Sequence, residues 1–268
     1  MLFERIPLSA EDDEVYLESY IADPFGEIPR KALLVLPGGG YGCVCSDREG
    51  EPIALAFMPH GYNAFVLHYT VGRKKPFPAQ LIEVSQAIAY IRDNAARYGI
   101  DPEELFVVGF SAGGHLAASA ATLWKLPAVQ AATGRPHGYN KPTGVMLVYP
   151  VISAAWRVKT FENLWCTDTP SEEQLAATSL ERHVDADSAP MFLVHTADDA
   201  SVNVGNTLVM AQACAEAGIP FETHIYPYGP HGMALANAVT DGGNAAWNDP
   251  AFAKWVEHAV LWAERFCK

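Results

Sequence analysis

The chain is short of positive charge. Its 268 residues hold 18 Lys and Arg against 31 Asp and Glu, a formal net charge of −13 with a pI near 5.0. Nucleic acid and anionic membrane surfaces need a basic face, so neither is an expected partner. Paired cysteines are also lacking. Cys43, Cys45, Cys166, Cys214 and Cys267 are odd in number and scattered, and no two form C-x-x-C. That argues against a zinc site or a redox motif, and free thiols are expected. No metal and no cofactor is expected. No run approaches the roughly 18 consecutive apolar residues of a membrane span. Met1 to Pro7 lacks a basic stretch leading into an apolar one, so the expected location is the cytoplasm. Internal repeats, low-complexity stretches and linkers are missing too.

What is there is alternation. Short apolar runs at Ala32–Leu36, Ala64–Tyr69, Leu105–Val108, Gly144–Pro150 and Met191–His195 read as buried strands. Val15–Ala22 alternates apolar and polar, as an antiparallel edge strand with one wet face would, and Phe221–Tyr226 alternates too. Between them lie helical stretches. Glu51–His60 has Pro52 in its first turn. Pro78–Tyr98 places Leu81, Val84, Ile88 and Ile91 on one face and Gln80 and Glu83 off it, before Gly99. Val204–Ala217 precedes Gly218, and a last helix runs from about Trp247 to Phe266. Trp124–Pro142 reads as an irregular loop. The expected fold class is α/β, a mostly parallel central sheet with helices on both faces, in one domain over residues 1–268. Only Ser153–Pro190 breaks the rhythm, and it is expected to form a small lid.

The chain is organised around Gly109-Phe110-Ser111-Ala112-Gly113. A buried strand precedes it and a small-residue helical run follows it. Strand, tight turn and helix push a serine hydroxyl out at the top of a sheet. If Ser111 is a nucleophile, it needs a base, and the base needs an orienter, in the chain order Ser, Asp or Glu, His. His231 lies in a Gly/Pro loop after the last strand, where the base belongs. Asp198 and Asp199 follow the Met191–His195 strand, where the acid belongs. Two adjacent side chains cannot both aim at one imidazole. Asp198 is the favoured orienter, with Asp199 capping the next helix or holding the loop. The amide of Ala112 and an amide of Gly39, Gly40 or Tyr41 are the expected oxyanion donors. Tyr41, Trp156 and Trp165 are candidates to line the substrate pocket. His115 reads as a packed or capping residue, His68 and His195 as loop-ordering residues, and Asp47, Glu49 and Glu51 as caps of the second helix.

Taken together, Leu36-Pro37-Gly38-Gly39-Gly40-Tyr41, Glu49-Gly50-Glu51-Pro52, Gly109 to Leu116, Tyr149 to Ser153, His195 to Asp199 and Gly229-Pro230-His231-Gly232 resemble an α/β-hydrolase of the acetylxylan/feruloyl-esterase-like branch. That branch is related to hormone-sensitive-lipase-like esterases and more distantly to prolyl oligopeptidases. The resemblance runs from about Lys31 to the C-terminus. It implies Ser111, Asp198 and His231 as the triad, with the glycine loop and Ala112 as the oxyanion hole. In related enzymes with an Asp-Asp pair at this loop the first aspartate is the triad member. Pro37 departs from the family, replacing the His of HGGG, and Asn203 stands where many relatives have Pro. The implied activity is hydrolysis of small esters, often acetyl or feruloyl groups on sugars, by a serine carboxylesterase. The implied partner is a small-molecule ester, with a homo-oligomer compatible. An amidase, aryl formamidase or small peptidase on the same triad is the nearest alternative. An inactive hydrolase fold used for binding is the other.

Overall fold

The computed structural model describes residues 1–9, 12–24, 26–156 and 158–267. Eight strands form one sheet in the order β1-β2-β4-β3-β5-β6-β7-β8. They are β1 (Leu2–Pro7), β2 (Tyr16–Ile21), β3 (Arg30–Leu36), β4 (Tyr62–His68), β5 (Ile100–Phe110), β6 (Gly144–Val148), β7 (Met191–Thr196) and β8 (Phe221–Tyr226). From β4 through β8 every neighbouring pair is parallel, while β2 runs antiparallel to both β1 and β4. The helices are α1 (Ser46–Glu49), α2 (Glu51–Phe57), α3 (Ala79–Asp93), α4 (Ala95–Tyr98), α5 (Ala112–Thr122), α6 (Pro127–Thr133), α7 (Val158–Leu164), α8 (Glu172–Ala177), α9 (Gly205–Ala217) and α10 (Trp255–Ala263). No helix of the described residues is long and apolar enough to cross a membrane.

The apolar runs are continuous because both sheet faces are covered. Successive side chains leave a strand on opposite faces. Leu34 and Leu36 of β3, Leu105 and Val107 of β5 and Leu193 of β7 therefore enter one core, under α3, α5 and α9. Leu33 and Val35, Phe106 and Val108, and Phe192 and Val194 enter the other, under α2 and α10. Each fully buried Leu or Phe contributes roughly 1.5–3 kcal/mol, so either face alone is a large share of the stabilising burial.

Five expectations need correction. β2 is not an edge, because β1 pairs along its outer side from Leu2↔Ile21 to Pro7↔Tyr16. The helix expected over Pro78–Tyr98 breaks at Asn94, whose side-chain amide donates to the Tyr90 carbonyl at 2.8 Å. Gln80 and Glu83 of α3 are buried, and Glu83 accepts the backbone amide of Thr70 at 2.8 Å. The stretch read as irregular contains α6, and the last helix is confined to Trp255–Ala263 between 3-10 turns.

All the parallel strands deliver their carboxyl ends to one edge of the sheet, where open α/β sheets hold ligands. β3 ends in the glycine loop, β5 in Ser111, β7 before Asp198 and Asp199, and β8 before the His231 loop.

Candidate active site

Ser111 sits between β5 and α5 with φ 53° and ψ −115°, a conformation L-residues rarely hold. The turn closes only on glycines. A Cβ on Gly109 would lie 2.2 Å from the Gly113 carbonyl oxygen, and one on Gly113 would lie 2.1 Å from that of Leu36. Strand and helix thus touch backbone to backbone, and the serine is the residue left projecting.

Its hydroxyl meets His231 Nε2 at 2.9 Å, and His231 Nδ1 meets Asp199 Oδ2 at 2.7 Å. A carboxylate only accepts, so Nδ1 carries the proton and Nε2 is free to accept from the serine. The order expected from the sequence is present, with one correction. His231 is held by Asp199 and not by Asp198. The first aspartate points outward, is exposed, and accepts the Gly229 amide at 2.8 Å, tying the two loops together. The second turns inward with its side chain fully buried. Its other oxygen accepts the amides of Ser201 and Val202 at 2.8 and 2.9 Å. Burial opposes its ionisation. Hydrogen bonds from His195 and His231, the His231 charge and the Val202 amide outweigh that and hold it well below the usual carboxylate range.

His195, at the end of β7, is wholly buried. Its Nε2 faces Asp199 Oδ2 at 3.2 Å and the Val202 carbonyl at 3.0 Å, both acceptors, so it donates to them. Nδ1 then accepts from Thr207 at 2.8 Å. This imidazole orders the loop that presents Asp199.

The glycine loop after β3 lies beside the serine. Gly39 and Gly40 have φ of 127° and 62°, and a Cβ on Gly39 would lie 2.2 Å from the Cys43 carbonyl oxygen. Among the described residues neither amide donates a hydrogen bond. Ala112, the first residue of α5, has no carbonyl one turn back within its helix. The loop is held from three sides. Glu49 Oε2 accepts the Gly38 amide at 2.7 Å, the Tyr69 hydroxyl donates to the Pro37 carbonyl at 2.5 Å, and Asn163 of α7 donates to the Gly40 carbonyl at 2.8 Å.

Glu49 caps no helix, because the cap position of α2 is Gly50, without a side-chain bond. Its carboxylate is buried, and its second oxygen accepts from the Tyr149 hydroxyl at 2.9 Å. Burial pushes its carboxyl up, while the Gly38 amide, the Arg48 charge, the Tyr149 hydroxyl and His231 act against that. Tyr149 also accepts the Ala234 amide at 3.0 Å, and its ring stands edge-on to His231 at 4.9 Å. The Glu49–Tyr149 pair therefore supports the glycine loop and the histidine loop together. Sequence reasoning missed it, since a contact spanning 100 residues leaves no local trace.

The pocket candidates lie elsewhere. Tyr41 is buried under the loop, and its hydroxyl donates to His115 Nδ1 at 2.8 Å. Trp156 packs against the start of α9, where a Cβ on Gly205 would lie 2.7 Å from its ring. Trp165 packs on Phe77 at 5.5 Å and donates to Thr178. These rings anchor their segments. Ser111 and His231 instead open on a cleft of about 290 Å³ lined by Cys45, Arg48 and Glu49 from the β3–α2 connection and by Lys159, Thr160 and Asn163 of α7. A larger cleft of about 580 Å³ beside Arg5, Tyr16 and Lys74 contains no part of this hydrogen-bonded chain.

The sequence pattern of the BD-FAE family matches residues 22–213, more than half of the chain. The chain belongs to the BD-FAE family. Among similar proteins, endo-1,4-beta-xylanase B of Butyrivibrio fibrisolvens is 37% identical over 224 residues, 79% of this chain and 34% of the xylanase. The chain spans between a third and about half of the length of the first curated relatives it matches. Solved structures match over nearly their whole length. An acetyl ester-xyloside bifunctional hydrolase from Caldicellulosiruptor lactoaceticus superposes with a TM-score of 0.80 at 31% identity, covering 98% of this chain and 96% of that one. The carboxylesterase Cest-2923 from Lactobacillus plantarum WCFS1 superposes with a TM-score of 0.87 at 25% identity, covering 99% and 98%. The BD-FAE chain has the α/β-hydrolase fold that the sequence implied.

Proposed function

We propose that the protein is a serine carboxylesterase acting on small acyl esters, with Ser111 as nucleophile, His231 as base and Asp199 as the acid that orients it. The observation that carries this reading is the unbroken chain Ser111–His231–Asp199, at 2.9 and 2.7 Å, opening on a cleft. His231 Nε2 takes the hydroxyl proton as the serine oxygen attacks the ester carbonyl. The oxyanion forms against the amides of Ala112 and of Gly39 or Gly40. His231 returns the proton to the leaving alcohol, then takes one from the water that hydrolyses the acyl-enzyme. Asp199 stays ionised throughout and stabilises the imidazolium.

Acetyl or feruloyl groups on sugars are the proposed substrate class. The support is the company the chain keeps, a xylanase and an acetyl ester-xyloside hydrolase among its relatives. Residues 153–190 are proposed to select the substrate, because α7 lines the cleft with Lys159, Thr160 and Asn163.

Ser111→Ala is expected to lower kcat/KM on 4-nitrophenyl acetate by roughly four orders of magnitude or more, with the circular dichroism spectrum unchanged. Cleavage at the wild-type rate by the variant would end this reading.

A further inference from the structure

Two cations, Arg48 and Lys159, line the cleft beside Ser111 together with one carboxylate, Glu49, in a protein whose net charge is −13. Arg48 is the cleft's best-placed charge. The guanidinium lies over the Trp247 ring at 5.4 Å. It also runs along the backbone beside the base, since a Cβ on Gly232 would lie 3.7 Å from Arg48 Nη2. Ring and backbone fix its direction, which lowers the entropy lost on binding a ligand.

Among the described residues the guanidinium donates no hydrogen bond and is held only by two loose ion pairs. The nearest carboxylate oxygens are Glu49 Oε1 at 3.9 Å and Asp47 Oδ1 at 4.0 Å, both beyond hydrogen-bond distance. Glu49 has already committed both oxygens, one to the Gly38 amide and one to the Tyr149 hydroxyl. Arg48 Nε has no hydrogen-bond partner among the described residues. Across the same cleft Thr160 is 2% exposed, and its hydroxyl also lacks a partner among the described residues. Lys159 adds a second cation, but it is largely exposed and paired with Glu162 at 2.7 Å, so it weighs less. Arg48 and Thr160 both line this cavity, with Arg48 Nε and the Thr160 hydroxyl themselves closed to solvent, and a guanidinium there calls for an acceptor that carries negative charge. A planar carboxylate matches the guanidinium fork.

We infer that the substrate is an anionic ester, carrying a free carboxylate that Arg48 binds with help from Thr160 while Ser111 attacks the ester carbonyl. The inference rests on the esterase reading above and narrows it. The carboxylate stands either on the acyl part, as in a half-ester of a dicarboxylic acid, or on the alcohol part, as in an acylated uronic acid. It takes no part in the chemistry: ester and water become acid and alcohol, and the second carboxylate leaves unchanged. Because the protein as a whole repels anions, discrimination comes from close contact and not from long-range steering.

The test uses matched pairs on the wild-type enzyme. One is the 4-nitrophenyl half-ester of adipic acid against 4-nitrophenyl hexanoate. The other is an O-acetylated methyl glucuronide against the O-acetylated methyl glucoside. In at least one pair the anionic member is expected to have kcat/KM higher by roughly 10- to 100-fold, carried by KM, the size of one charge-assisted contact. The ratio should shrink as salt is raised. It should fall toward one in Arg48→Met and be partly retained in Arg48→Lys. A measurement on the wild-type protein alone stands beside the variants: glucuronate should compete with 4-nitrophenyl acetate at least tenfold better than glucose, or succinate better than butyramide. Equal or reversed preference in both pairs, or a preference that survives Arg48→Met, overturns the inference and leaves the esterase reading intact. If no member of either pair and no simple acetate is cleaved, the esterase reading itself fails and takes this inference with it.

Discussion

Asp198 and Asp199 differ by one position and by everything else. The first is exposed and accepts a backbone amide. The second is buried and accepts two amides and two imidazoles. Exchanging one oxygen for an amide separates them. Asp199→Asn is expected to lower kcat on 4-nitrophenyl acetate by roughly three to four orders of magnitude, because an amide at this place no longer fixes the imidazole tautomer or balances the imidazolium. Asp198→Asn should leave kcat within about threefold, since an amide oxygen still accepts from Gly229. Initial rates on the two variants decide it, and a reversed order would restore the assignment implied by the family resemblance. The sequence reading favoured Asp198, the one that does not face His231, for a physical reason. Which neighbour in a turn faces inward depends on the dihedrals of that turn, and those are set by His195, Thr207 and Val202 packing behind it.

At the scale of elements, His115 links three parts of the chain. It lies on α5, accepts from Tyr41 below the glycine loop, and donates to the Thr178 carbonyl at 2.8 Å, just past α8. Complete burial pushes its imidazole down to about 4, against the pull of the Thr178 carbonyl. The folded value thus lies below the ordinary unfolded one near 6.5. The stabilising contribution is present above that unfolded value and is lost as pH falls toward the folded one. Over that window the loss amounts to about 3 kcal/mol. Asp199 loses its own contribution only below its unfolded value near 3.9, so the windows separate. In His115→Gln, which can keep one donor and one acceptor, urea midpoints should fall less steeply from about pH 6.5 to about pH 4.5 than in the wild type. Parallel curves would contradict the burial argument. Elements were legible where the pattern was local. Ser111 announced itself by strand, glycine turn and helix. β1 did not, because an edge strand with Leu2 and Phe3 exposed and only Ile6 buried shows no clear alternation, and the break at Asn94 is one side-chain bond inside a good helical pattern.

For the whole molecule, one large aromatic cluster of the core and the proposed chemistry sit at opposite ends of the same strands. Trp262 of α10 is buried against Phe106 and Phe192, with ring centroids at 6.2 and 6.0 Å. Phe106 lies five residues before Ser111 on β5, about 17 Å along the strand. Trp262→Ala is expected to cost about 3–5 kcal/mol of unfolding free energy. It should leave kcat at a temperature well below the lowered midpoint within about twofold. Calorimetry and initial rates together test this, and a rate loss matching the stability loss would mean the two ends are coupled. A link between distant segments runs through Asn163. This residue belongs to α7, in the segment between β6 and β7, yet it grips the Gly40 carbonyl, and Arg73 holds it in turn at 3.0 Å. In engineering terms the segment 153–190 is not a detachable module. A chimera that borrows residues 153–190 from another hydrolase to change what enters the cleft also replaces a strut of the glycine loop. Retargeting by exchange therefore trades selectivity against turnover unless the asparagine and its arginine travel with the graft.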